Sequence, residues 1–119
     1  MHGRLQDPLI ELRQPQLVFN NALVESIDET LTELLGRAVV DALYVHLQTF
    51  HSISRGRLPH ELNTLLAVLE RIFGILGAQT ITNVIARKFY FKLGLKFTGN
   101  PSRTLLEYVD DARMKLEIS

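Results

Sequence analysis

Apolar positions along the chain recur at three- and four-residue spacing, which is typical of helices packed on a core. The cleanest repeat runs through Leu62, Leu65, Leu66, Leu69, Ile72 and Phe73. Similar repeats flank it on both sides. The repeat of the second predicted helix includes Phe50 on its apolar face. The pattern therefore predicts an all-α bundle of about five helices, at residues 18–35, 37–51, 59–73, 78–93 and 102–117.

Glycine and proline residues supply the predicted boundaries between these helices. Gly36 ends or kinks the first helix, and Pro59 fits the first helical position, where its missing N–H is no loss. Gly94 fits the left-handed position that follows a helix. The residues 74–77 that lie between the third and fourth helices begin and end with glycine and predict a turn.

The first residues carry a different signal. Pro8 and Pro15 disfavour a helix interior, so residues 1–16 are predicted to form an extended arm, either flexible or docked. Residues 17–119 are then a single helical domain, which suits a chain of this length.

The fourth predicted helix is apolar on more than one side. At about 100° per residue, Ile81, Ile85 and Phe89 form one stripe, while other apolar residues point elsewhere. Such a helix packs against several neighbours, and a homodimer contact would supply one of them. The candidate interface residues are Val84, Phe89, Tyr90 and Phe91, with Val45 added because it points away from the core face of its own helix.

A β-hairpin is the competing interpretation of the same region. Residues 88–92 and 95–97 are rich in aromatic residues and flank a Leu-Gly pair, which suits a tight turn between two strands. The helical spacing before Lys88 favours the helix.

Composition narrows the class of protein. Hydrophobic residues make up 46% of the 119 residues and charged residues 22%, which favours a folded domain over a disordered chain. Cysteine is absent, so disulfides and thiolate chemistry are excluded. The first residues lack an apolar leader segment, and the apolar run at residues 72–78 is too short for a membrane span. We therefore expect a cytoplasmic protein that does not bind membranes.

The charges balance to zero but are segregated along the chain. Every charge between Arg13 and Arg37 is acidic, and every charge between Glu70 and Glu107 is basic. The segregation predicts two solvated faces, or two faces that meet in the fold or across a dimer. A patch on the basic half that binds an anion or a nucleic acid is the alternative.

The sequence offers little for catalysis. No two of its four histidines lie four residues apart, and there is no nucleophile elbow, phosphate loop or dinucleotide fingerprint. We expect no catalytic residues, no metal and no cofactor.

Two nucleic-acid interpretations stay open. In the first, the third and fourth helices form a helix-turn-helix whose exposed side could contact bases and phosphates through Gln79, Thr80, Asn83, Arg87 and Lys88. In the second, residues 74–77 are the Gly-x-x-Gly clamp of a KH domain. The inner residues of this clamp are large and apolar, and no strand is predicted before it.

A family resemblance extends over residues 23–117. It rests on packing and capping residues: Leu35-Gly36, Ala38, Ala42-Leu43, His46-Leu47, Ile72-Phe73-Gly74, Leu93-Gly94-Leu95, Phe97, Tyr108-Val109 and Ala112-Arg113. With these residues the chain resembles the archaeal Nitrosopumilus-type output-domain family of signalling and regulatory proteins. The resemblance implies an all-helical output module without catalytic residues.

Taken with the residue patterns, this resemblance leads us to expect a non-catalytic interaction module that binds an unknown regulatory protein and itself. A transcription-related DNA-binding module that uses residues 78–93 is the alternative.

Overall fold

The computed structural model describes the backbone of residues 8–118 and the side chains from residue 15 onward. It contains four α-helices: α1 (Pro8–Leu35), α2 (Arg37–His51), α3 (Leu62–Leu93) and α4 (Leu105–Lys115). A 3-10 helix (Arg55–His60) connects α2 to α3. No strand occurs in this part of the chain, which confirms the all-α prediction.

α1 and α3 form the centre of the fold, because they contact each other and the 3-10 helix, and α1 also contacts α2. α3 also contacts α4. Its stripe of Ile85 and Phe89 is fully buried, and so are Ile27 and Leu31 of α1. Phe19 of α1 meets Phe89 edge to face, with ring centroids 5.0 Å apart, a geometry that aromatic pairs favour. α2 packs mainly on α1. The molecule measures 22 Å along its shortest axis, which is about two helix diameters.

Gly74 interrupts α3. Its φ of 78° and ψ of 169° lie in a region that is nearly restricted to glycine, and they divide α3 into residues 62–73 and 75–93. The predicted four-residue turn is therefore a break at a single residue, and Gly77 is already helical. Pro59 lies in the 3-10 helix and not at the start of the third helix, which begins at Leu62.

The start of α1 corrects the predicted arm. α1 begins at Pro8, so an extended arm does not describe residues 8–16, while residues 1–7 lie outside the described residues. Pro8 stands at the first helical position, where proline is accepted. Pro15 removes one backbone hydrogen bond. The following turns bury Phe19 and Leu23, and this packing holds the helix in place.

The hairpin interpretation is wrong, because α3 continues to Leu93. Gly94 ends it with φ of 71°, and its N–H donates to the Phe91 carbonyl. The Leu95 N–H donates to the Tyr90 carbonyl. These two bonds satisfy carbonyl groups that the end of a helix leaves free.

α4 starts three residues later than the predicted position 102. The side chain and N–H of Ser102 both donate to Asn100 Oδ1, which holds Ser102 in a turn. Thr104 then caps the helix: its hydroxyl accepts from the Glu107 N–H, and the Glu107 carboxylate accepts from the Thr104 N–H.

Among the described residues one helix, α3, is long and apolar enough to cross a membrane, with a mean hydropathy of 1.4 over 18 residues. Core helices of soluble proteins meet the same criterion, so this finding is weak evidence for a span.

Candidate interaction surface

The structure does not gather the five predicted interface residues into one contact. Phe89 and Tyr90 are buried in the core, which corrects their assignment to a surface. Val84 is half-buried, whereas Phe91 and Val45 are 84% and 64% exposed on two different helices.

Tyr90 is held in the core by polar contacts as well as by packing. Its hydroxyl donates to the Tyr108 carbonyl at 2.6 Å and approaches the Asp111 carboxylate at 3.3 Å. Burial, with a smaller contribution from Asp111, raises the pKa of Tyr90 to about 12. The phenol is therefore a structural hydrogen-bond donor.

Val45 belongs to an exposed, uncharged side of α2 that we call the α2 face. Val39, Val45 and Phe50 are 48%, 64% and 70% exposed on it. The complete face consists of Ala38, Val39, Ala42, Val45, His46, Thr49 and Phe50. The opposite side of α2 buries Val40, Leu43 and Leu47. α2 is thus apolar both toward the core and toward solvent.

A groove of about 180 Å³ runs beside the α2 face. Its walls come from the end of α1, from α2 and from α3: Leu35, Val39, Ala42, Leu43, His46, Ile72 and Phe73. Ile72 is 54% exposed in this groove. The apolar surface of α2 is therefore continuous with that of α3 through this groove.

Three rings lie close together near the C-terminal end of α2. The centroids of His46 and Phe50 are 4.9 Å apart, and those of His46 and His51 are 5.6 Å apart. The sequence pattern assigned Phe50 and Ile72 to the core, and their exposure corrects that assignment. Periodicity finds the apolar side of a helix, but it does not show whether a neighbour covers that side.

A polar cluster acts together with the buried apolar side of α2 to set which face of this helix points outward. The Tyr44 hydroxyl donates to the Asp28 carboxylate at 2.9 Å, and Arg37 and Arg55 approach it at 3.4 and 3.6 Å. Burial raises the pKa of Asp28, but the hydrogen bonds from Tyr44 and Arg37 and the charge of Arg55 together lower it by more than burial raises it. The pKa of Asp28 therefore lies below its ordinary value. Burial and the bond to Asp28 raise the pKa of Tyr44. The carboxylate thus ties α1, α2 and the segment after α2 together.

The predicted nucleic-acid contacts fall into two groups. Gln79, Thr80 and Asn83 line a cavity of about 430 Å³ together with Asn100 and Arg103. In this group the Gln79 amide donates to the Pro101 carbonyl at 2.6 Å, and the Thr80 hydroxyl donates to the Leu76 carbonyl at 3.0 Å.

The second group lies further along α3. Arg87 and Lys88 line a different cavity, beside Phe91. The Arg87 guanidinium lies 5.9 Å from the centre of the Phe97 ring. Lys88 Nζ lies 3.1 Å from the Glu33 carboxylate, so its charge is paired.

The two charged halves of the sequence meet within the fold, as one of the predicted arrangements required. Besides the pair of Lys88 with Glu33, Lys92 Nζ lies 3.2 Å from the Glu29 carboxylate and 3.8 Å from that of Glu25. The acidic side of α1 therefore neutralises much of the basic side of α3.

Other kinds of site find little support in the described part of the chain. No group of three or more His, Cys, Asp or Glu residues could hold a metal ion there. The break at Gly74 is shorter than the turn of a helix-turn-helix, and residues 8–118 contain no strand from which a KH domain could be built. In comparisons with family models, curated proteins and solved structures, nothing matches this chain.

Proposed function

We propose that this chain is a non-catalytic helical interaction module that binds protein through the α2 face and the adjoining groove. The observation that carries the proposal is the combination of exposed Val39, Val45 and Phe50 on α2 with exposed Ile72 across the groove. Contiguous apolar surface on a soluble domain marks an interaction site more often than isolated exposed residues do.

The shape of this surface suits a helix as the bound element. Ala38 and Ala42 are small and exposed, so a second helix can approach α2 closely. The groove beside these alanines has room for a side chain of that helix, as helix-in-groove complexes require.

The setting of this module is part of the same proposal. Its resemblance to the output-domain family supports a role at the output end of a signalling or regulatory system, with a regulatory protein as partner. The lack of an apolar leader segment supports a cytoplasmic location, and the lack of a phosphate loop or dinucleotide fingerprint supports binding without a cofactor.

A charge placed on the α2 face tests the proposal. Val45→Glu changes an exposed side chain, so we expect folding to persist while protein binding is lost. Asn21→Glu, at an exposed position of α1, is the matched control. Proteins captured from the native host by the unchanged chain should be retained by Asn21→Glu and lost with Val45→Glu. Equal capture by all three forms would overturn the proposal.

A DNA-binding module is the second candidate, because the polar side chains of Gln79, Thr80 and Asn83 line one cavity together with Arg103. Fluorescence anisotropy with duplex DNA at low salt tests it. Salt-dependent binding that Arg103→Ala abolishes would support it. An absence of binding at low salt would end it.

A further inference from the structure

We infer that the helix seated on the α2 face is α2 of a second copy of this chain, antiparallel to the first. The two-fold axis passes near the level of Tyr44 and Val45. This inference rests on the proposed function and names the partner for the same surface.

The order of side-chain sizes along α2 carries the inference. Ala38, Ala42, His46 and Phe50 follow one another at four-residue spacing and form one ridge, small in its first half and large in its second. Antiparallel pairing that places Ala42 opposite His46 of the second copy also places Ala38 opposite Phe50. Each large ring then meets a small residue. Parallel pairing would set Phe50 against Phe50 and leave a gap between the alanines.

The groove extends this complementarity beyond α2. Phe50 of the second copy lies over Ala38 and Val39, and Val39 is also a wall of the groove. The contact of His46 with Phe50 already holds the two rings together on the surface of one copy. Less side-chain freedom is then lost when the rings are buried.

Charge complementarity favours the same arrangement. The first turn of α2 has no acidic residue and no side-chain cap at Gly36, so its positive helix end can accept a further negative group. Antiparallel pairing brings the negative end of the other α2 to that place. The α2 face itself is uncharged, and the rim residue Asp41 lies within one residue of the level of Gln48 of the second copy, whose amide can donate to it. The two Asp41 carboxylates stay roughly 9 Å apart along the helix axis, since each residue adds about 1.5 Å.

The size of the contact sets the expected strength. α2 has 15 residues and is about 22 Å long, so one helix pair with its groove buries less than the roughly 800 Å² per partner of a standard interface. We expect a dissociation constant in the micromolar range.

Sedimentation equilibrium of the full chain, from about 1 to about 500 µM, tests self-association. We expect a monomer–dimer equilibrium whose dissociation constant rises at least tenfold in Val45→Glu and is unchanged in Asn21→Glu. Monomer throughout, or equal association of both variants, would overturn the self-pairing. The capture experiment is independent of this result, so partner binding that depends on Val45 in a monomeric chain would leave the proposed function standing.

Single cysteines test the orientation, because the chain has none of its own. Ala42→Cys and His46→Cys chains, distinguished by mass, are mixed and oxidised mildly. Antiparallel pairing predicts that the mixed disulfide forms in excess over both symmetric ones, since position 42 faces position 46. An excess of the symmetric products, a statistical mixture or no cross-link would each overturn the orientation.

Discussion

Two phenylalanines only two residues apart in α3 have opposite environments. Phe89 is fully buried, whereas Phe91 is 84% exposed. We expect Phe89→Ala to lower the free energy of unfolding by about 3–5 kcal/mol, because it opens a cavity beside Phe19. Phe91→Ala should change it by less than about 0.5 kcal/mol. Urea unfolding followed by circular dichroism measures both.

Each of these two variants is the matched control for the other, since both remove one aromatic ring from the same helix. A destabilisation of similar size in both would contradict the assignment of Phe89 to the core and Phe91 to the surface. The dependence on urea should keep the same slope, because little changes in the surface that unfolding exposes.

The Asp28 carboxylate predicts a dependence of stability on pH. Its folded-state pKa lies below the ordinary value of 3.8, so its stabilisation is fully present above that value and is lost as the pH falls through the folded pKa. Between about pH 5 and about pH 2, the unchanged chain should therefore lose more free energy of unfolding than Asp28→Asn does.

The matched control for this titration is Asp41→Asn. Asp41 is more exposed than Asp28 and, among the described residues, pairs only with Arg37 at 3.1 Å, so its replacement should leave the slope nearly unchanged. If Asp28→Asn and the unchanged chain lost stability in parallel, the proposed role of Asp28 in tying α1 to α2 would be wrong.

At the level of the helices, the break in α3 predicts an unusual response to alanine. Alanine normally stabilises a helix relative to glycine. Gly74 has φ of 78° and ψ of 169°, so Gly74→Ala should destabilise the protein by about 1–3 kcal/mol even though no atom lies within 4 Å of the added Cβ. Thermal or urea unfolding measures the change.

Gly56→Ala is the control for Gly74→Ala. It also has open space around the added Cβ but no positive φ, so we expect a neutral or slightly stabilising effect. Stabilisation by Gly74→Ala would show that α3 can straighten, and would contradict a fixed break.

Helix boundaries were predictable where local chemistry decides them. The bounds of α2 agree with the prediction, and its start is set by Gly36, which adopts a positive φ that few other residues accept. The start of α1 was not predictable from its prolines, since packing of the later turns outweighs the loss at Pro15. Likewise, the sequence predicts a turn at Gly77, but this residue is helical, because tertiary packing outweighs the low helix propensity of glycine.

The candidate surface was predictable only in part. The position of Val45 on its helix shows that it points away from the core face, and the structure places it on the surface. The exposure of Phe50 and Ile72 depends on how far α2 stands from α3, and periodicity within one helix carries no information on that separation. Tyr90 shows the opposite case, because α4 covers a ring that one helix alone would leave outside.

At the scale of the whole molecule, ion pairs between α1 and α3 connect residues more than fifty positions apart in sequence. Exposed pairs contribute about 0.2–1 kcal/mol each. Reversing Lys88 and Lys92 to glutamate would set like charges against Glu29 and Glu33, and we expect a loss of about 1–2 kcal/mol. Adding Glu29→Lys and Glu33→Lys should restore most of it, as urea unfolding at low salt would show.

The control replaces Arg71 and Lys96 with glutamate, because these two bases have no ion pair among the described residues. It should lower the free energy of unfolding by less than the charge reversal of Lys88 and Lys92 does. In about 1 M salt the difference between the two pairs of reversals should shrink, because screening then acts over about 3 Å. A destabilisation that the fourfold variant did not relieve would mean that these lysines act through packing of their stems and not through charge. Since none of the four exchanged residues lies on the α2 face, self-association should persist wherever the chain remains folded.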